Sequence, residues 1–187
     1  MSKTISVTKE MIDATAFDMA KKNGVHTLTA RDIAATLGCS TQPIYKTYAN
    51  MDALKKNLQE RLIDFILQSI VSYQKTGCAF LDSGLGYIHF AKTEKMLFRT
   101  FCIENQEHSL SRPDIQNQAI RALMDSELEN LPLSTGSKDK IFIQTMIFTY
   151  GLAVMAYLEQ LELTESETAQ LLQDAFDSYV SQEMKRS

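Results

Sequence analysis

Apolar residues recur at helical spacing along most of this chain, and no convincing stretch alternates apolar and polar residues as a half-buried strand would. From Thr8 to about Lys22, Ile12, Ala16, Met19 and Ala20 share a face that Met11 and Phe17 widen, and Asn23-Gly24 ends the helix. Thr29 to Asp32 fits a capping box, in which the Thr29 hydroxyl accepts from an amide of the new turn and Asp32 reaches back to the cap. The short helix that follows buries Ile33, Ala34 and Leu37 and stops at Gly38. Ser40 is the expected cap of a second short helix running through Tyr48, with Pro43 tolerated in its first turn. Asn50 or Asp52 opens a helix of about 25 residues, reaching the Lys75-Thr76-Gly77 break, with Leu54, Leu58, Leu62, Phe65, Ile66 and Ile70 on one side.

The second half continues the pattern. Helices are expected over Ala79–Lys92, from Glu94 to about Gln106, over Asp114–Glu129 with Ile115, Ala119, Ala122 and Leu123 inward, and over 138–161. A Thr164/Glu167 cap starts a last one, striped by Leu171, Leu172, Ala175, Phe176, Tyr179 and Val180. Ser109–Pro113 reads as a turn and Leu131–Ser137 as a loop. The pattern predicts nine helices and no strand, an all-α fold. The segment Ile141–Leu158 is apolar enough to suggest a membrane span, but Gln144, Thr145 and Thr149 interrupt it. A central buried or subunit-interface helix has the same composition.

Composition changes this picture little; charge distribution changes it more. With 187 residues, 44% apolar, only 3 Pro and 7 Gly, the chain has enough for one sizeable core or two small ones. The net charge is −4, yet residues 1–61 hold nine basic against six acidic side chains, a net +3 that leaves −7 for the rest. A polyanion would meet the N-terminal third. Cys39, Cys78 and Cys102 lack metal-binding or disulfide-framework spacing and read as reduced thiols, and Met1-Ser2-Lys3-Thr4 lacks an apolar leader, so a cytoplasmic location is expected. No metal, cofactor or enzyme activity is expected: no nucleophile–base arrangement or phosphate-cradling glycine loop is present. Glu104, Glu107 and His108 could share a face but read as solvated surface, His26 as a polar loop residue, and Cys102 as a small hydrophobe.

The informative stretch is 28–48: two short capped helices joined by Gly38-Cys39-Ser40, with Ile33, Ala34, Leu37 and Ile44 able to lock them together as a helix-turn-helix. The second helix presents Thr41, Gln42, Pro43, Tyr45, Lys46 and Thr47, a set without acids that can enter a major groove. Gln42 can bond an adenine edge, Pro43 can touch a thymine methyl, and Lys46 with the Tyr45 hydroxyl can hold phosphates.

Residues 8–54 resemble the N-terminal domain of the TetR (tetracycline repressor) family of bacterial regulators. The resemblance is carried by Ala14, Phe17, Ala20, Gly24, Leu28, Thr29, Arg31, Asp32, Ile33, Ala34, Leu37, Gly38, Ser40, Tyr45, Tyr48 and Leu54. The chain departs from the family's usual residues at Cys39 (Val or Ile), Thr47-Tyr48 (His-Phe) and Met51 (Lys), the last removing one phosphate contact, although Lys55 and Lys56 lie one turn on. The resemblance implies a three-helix DNA-binding domain over 1–50 and a helical effector-binding and dimerisation domain over 51–187. Its implied DNA-binding residues are Thr29, Arg31, Ser40, Thr41, Gln42, Pro43, Tyr45, Lys46, Tyr48 and Lys55.

It also implies a homodimer on a palindromic operator, repression, and release by a small-molecule effector, with the last two helices pairing across the dimer. The apolar helix 138–161 and the striped final helix suit that role, and Gly151, Ala153 and Ala156 would allow close approach. The expected pocket residues are Tyr87, His89, Phe98, Phe101, Met146 and Tyr150, favouring an apolar or aromatic effector. Two rival readings stay open: a DNA-bound protein-interaction factor without a small-molecule effector, and a ligand-binding module whose DNA head is vestigial.

Overall fold

The computed structural model describes residues 6–104, 121–122, 124–125 and 127–186, and among these the chain is all-helical with no strand. The helices are α1 (Lys9–Asn23), α2 (Ala30–Leu37), α3 (Gln42–Thr47), α4 (Met51–Val71), α5 (Ala79–Thr93), α6 (Lys95–Phe98), α7 within 121–129, α8 (Thr135–Tyr157) and α9 (Glu165–Met184). A 3-10 turn, Val25–Thr27, separates α1 from α2, and α6 runs on as a π turn over Arg99–Ile103. The Ser109–Pro113 turn and Gln106, Glu107, His108, Ile115, Ala119 and Leu123 lie outside the described residues.

Several expected helix starts are found: Thr8 accepts from the Met11 amide, Asn50 Oδ1 from Ala53, and Thr164 with Glu167 forms a full capping box. α8 instead starts at Thr135, three residues before the expected 138, because Ser134 accepts from the Ser137 amide and draws the end of the 131–137 loop into the helix, and it ends at Tyr157, short of 161. α4 is shorter than expected, at 21 residues. Its continuation is drawn instead onto Asp82, whose carboxylate accepts from the amides of Lys75, Thr76 and Gly77 and from the Thr76 hydroxyl. Burial alone would raise the Asp82 pKa; those four bonds outweigh it and hold the carboxyl below its usual range. In α7 the inward residues are Met124 and Leu128, whereas Ala122, expected inside, is exposed.

The described residues fall into two compact units, one of 6–65 and 96–104, the other of 66–95 and 121–186. The boundary between these units falls within α4, after Phe65. Leu54, Leu58 and Leu62 are fully buried in the first unit, and Phe65 meets Phe17 edge-to-face at 5.5 Å. Met96 Sδ and Thr100 Oγ pack 3.8 Å from where a Cβ on Gly24 would sit, which brings 96–103 to the same unit.

In the second unit α5 packs against α8 and α9, with Phe80 and Phe176 rings 4.5 Å apart. A Cβ on Gly86 would stand 2.5 Å from the Ile70 carbonyl oxygen, so glycine there sets how closely α5 meets the end of α4. Buried Glu183 is paired with Lys140 and Arg186 at 2.6 and 2.8 Å. α8 is the one helix among the described residues long and apolar enough to cross a membrane, and only 28% of that window is buried within the chain. Ile147 is 67% exposed, Ile143 55% and Leu158 50%; with Tyr150 they form an uncovered apolar stripe.

Candidate nucleic-acid interface and ligand cavity

The turn between α2 and α3 is set by backbone conformation. Gly38 adopts φ 66°, its amide bonds to the Ala35 carbonyl, and the Cys39 amide reaches back to Ala34. This is the two-bond closure that favours glycine after a helix. Nothing stands within 4 Å of a Cβ placed there, so the left-handed conformation, and not space, is the constraint. At the other end of α2, Thr29 Oγ accepts from the Asp32 amide, and its proton goes to the Asp32 carboxylate at 2.5 Å. Asp32 thus reaches back to the hydroxyl of the cap.

α3 begins after Thr41, one residue later than the Ser40 cap expected, and the Thr41 side chain makes no capping bond. Pro43 in the first turn has no amide proton to leave unsatisfied. Ile44 is buried and anchors the helix, whereas Gln42, Tyr45 and Lys46 are exposed, Tyr45 to 53%. Thr29, Arg31 and Ser40 are also exposed; Thr41, Pro43 and Lys55 are half-buried. No acidic side chain lies among residues 33–51. The geometry therefore offers a short, acid-free helix face flanked by cations.

Tyr48 behaves differently from the rest of that set. It is buried, and its hydroxyl lies 2.5 Å from Asp13 Oδ1 and 3.0 Å from Asn57 Oδ1. The hydroxyl has one proton, and the carboxylate takes it. Burial first, and the Asp13 bond second, raise the Tyr48 pKa. Asp13 also holds Lys9 at 2.5 Å and faces Arg61 at 3.8 Å, so one carboxylate ties α1 to the end of α3 and to α4. Tyr48 is an internal lock instead of a DNA-contacting group. Asp13 was not among the expected functional residues; its only sequence signal is a carboxylate one position from a core residue, Ile12.

A cavity of about 40 Å³ opens in the second unit. Phe80 and Tyr87 of α5, Met124 of α7, and Met146 and Tyr150 of α8 supply an almost wholly apolar wall, into which Ser83, Thr145 and Thr149 bring hydroxyls. Tyr87, Met146 and Tyr150 were expected to meet, and they do. His89 lies elsewhere, its ring 5.1 Å from that of Tyr73. Phe98 and Phe101 are buried core of the first unit, because 96–103 packs there. Ser83, Thr145 and Thr149 were missed, although two hydroxyls four apart in an otherwise apolar helix were a signal.

No family model matches the sequence, and no curated protein matches it. Solved structures do. A protein of Streptomyces coelicolor A3(2) assigned as a transcriptional regulator aligns with a TM-score of 0.62 at 12% identity, over 89% of this chain and 96% of that one. A TetR-like transcriptional regulator from Rhodococcus sp. RHA1 aligns with a TM-score of 0.54 at 17% identity, over 89% and 92%. The fold is TetR-like. A protein from Vibrio parahaemolyticus assigned to the TetR family gives a TM-score of 0.62 at 12% identity, over 90% and 96%. At these identities the likeness is one of fold, and it covers the TetR-like head and the cavity-bearing helices together.

Proposed function

We propose that this chain is a ligand-responsive transcriptional regulator that binds a palindromic operator as a homodimer. It represses transcription from that operator and leaves it when a small molecule fills the cavity beside α5 and α8. The observation that carries the reading is α3: Gln42, Tyr45 and Lys46 stand clear of the head on a helix anchored by Ile44 and Tyr48. A groove-entering helix needs that combination of fixed seat and exposed polar face. In this role the protein is cytoplasmic, and Thr29, Arg31, Ser40 and Lys55 serve as flanking backbone contacts.

The uncovered stripe Ile143, Ile147, Tyr150 and Leu158 supports pairing with a second copy, since a patch of that kind costs solubility unless covered. Two-fold pairing presents two α3 helices to two half-sites. Effector binding that favours one arrangement of the heads over another shifts the population away from DNA.

Selection from a random DNA pool with the purified chain should return a palindrome. Gln42→Ala then relaxes discrimination at one base position by about 1–3 kcal/mol, and Lys46→Ala weakens all sequences alike and flattens the salt dependence. Unchanged binding by both variants in an anisotropy titration removes α3 as the recognition helix. One observation favours a second reading, a DNA-bound factor that docks another protein: the cavity is only about 40 Å³. A chain that sediments as a monomer with its stripe uncovered would support that alternative.

A further inference from the structure

Two carboxylates are buried among the described residues, and they are served differently. Glu183 is met by two cations, Lys140 and Arg186. Asp82, only 6% exposed, is met by three amides and the Thr76 hydroxyl, all neutral. No cation among the described residues pairs with it. Lys75 lends Asp82 its amide but carries its ammonium over the Tyr73 ring, 5.8 Å from the centroid. The neutral bonds hold the carboxyl below its ordinary 3.8, so it is ionised at neutral pH. They are also unevenly shared: Oδ1 accepts three, at 3.0, 2.8 and 2.9 Å, and Oδ2 only one, at 3.2 Å. Oδ2 therefore keeps room for a further donor. A buried charge without a counter-charge favours the arrival of a cation.

Asp82 stands in the wall of a hollow of about 300 Å³, several times the volume of the cavity beside α8 and at the lower end of the ~300–1,000 Å³ usual for ligand sites. Asp82 and Ser83 are its buried members, and the exposed Val71, Gln74, Gly77 and Ala79 form its rim. Ser83 gives its proton to the Phe80 carbonyl at 2.8 Å and is left with accepting capacity alone. The buried side of the hollow is thus rich in acceptors and negatively charged, which turns anions away. Val71 and Ala79 bring aliphatic surface, and no aromatic ring lines the hollow among the described residues.

We infer that this hollow binds a small aliphatic amine as its ammonium ion, whose N–H groups donate to Asp82 Oδ2 and Ser83 Oγ while the alkyl part lies against Val71 and Ala79. It is a second site, and it does not depend on reading the cavity beside α8 as the effector site.

The test uses the full-length chain without DNA, at neutral pH, and three probes that share one aliphatic ring: cyclohexylammonium, cyclohexanol and cyclohexanecarboxylate. Titration calorimetry should give one ammonium bound per chain, about tenfold more tightly than the alcohol, and no binding of the carboxylate. Asp82→Asn keeps an accepting oxygen for the loop amides and removes the charge, so the preference for the ammonium should vanish. Since Asp82 also supports the fold, two exposed rim positions carry the test independently. Ala79→Leu fills the hollow without altering any charge, and Gln74→Lys brings a competing ammonium to its mouth. Each should weaken cyclohexylammonium about tenfold or more and leave the far-UV circular dichroism unchanged.

Equal binding of ammonium and alcohol overturns the inference, as does saturable binding of the carboxylate, a preference that survives Asp82→Asn, or no saturable binding of the ammonium. Affinity that is unchanged in Ala79→Leu or in Gln74→Lys overturns it too, because the ammonium would then be drawn to the acidic surface at large and not to the hollow.

Discussion

Two buried hydroxyls show how differently the two units are finished. Tyr48, in the N-terminal unit, gives its proton to Asp13 and meets Asn57. Thr145, in the C-terminal unit, meets nothing. The contrast extends to apolar surface: the head seals Ile12, Ile33, Ile44 and Leu62 completely, while α8 leaves Ile143 and Ile147 more than half exposed. A polar network with every member paired fixes one geometry. The first unit pairs its buried hydroxyl and closes its core, whereas the second leaves a buried hydroxyl unpaired and an apolar stripe exposed.

The largest test of that contrast is Gly86→Ala. Its Cβ would collide with the Ile70 carbonyl and with Tyr73 Cβ at 2.9 Å, so the variant should lose about 3 kcal/mol of stability. Residue-resolved hydrogen exchange should place the lost protection in α5, α8 and α9. Equal loss in α1–α3 would mean that the two units unfold as one.

Asp82→Ala comes next, at about 2 kcal/mol near neutral pH, because it strips partners from three amides and a hydroxyl. The folded pKa of Asp82 lies below its ordinary 3.8, so its contribution is present above that value and is lost as pH falls through the folded pKa. Acid titration followed by circular dichroism should accordingly show wild type and variant converging in stability below that range. A constant gap at all pH values would deny the charged carboxylate its role.

Smallest is Tyr48→Phe, at about 1 kcal/mol, since Asp13 keeps Lys9 and Arg61 when the hydroxyl goes. Urea unfolding of the purified variant reads this directly, and a cost of zero would remove Tyr48 as the lock of the head.

Much of the head could be read along the chain because its determinants are local. Thr29, Gly38, Asn50 and the Thr164/Glu167 pair act on residues within one or two turns, and each is where spacing put it. The second helix of the motif starts one residue later than Ser40 suggests, since Pro43 allows either register and no side chain caps the turn. Contacts between distant segments were legible only in part. Periodicity says that Phe98 and Phe101 face inward, but not that 96–103 joins the N-terminal unit. His89 was aromatic and mid-helix like Tyr87, yet two residues turn it toward Tyr73 instead. Tyr48 was grouped with the DNA contacts because nothing in its neighbourhood announces Asp13, 35 positions away.

α3 has only six residues, too few for a helix to persist alone in water. Its shape is therefore borrowed, from the Gly38 turn on one side and from the Asp13 tether on the other. In the proposed role, what α3 reads on DNA is then set partly by residues that never touch it. A search for variants with altered sequence preference should include positions of α1 beside Asp13 as well as Gln42 and its neighbours, and some of the changes found will lie wholly out of reach of any base.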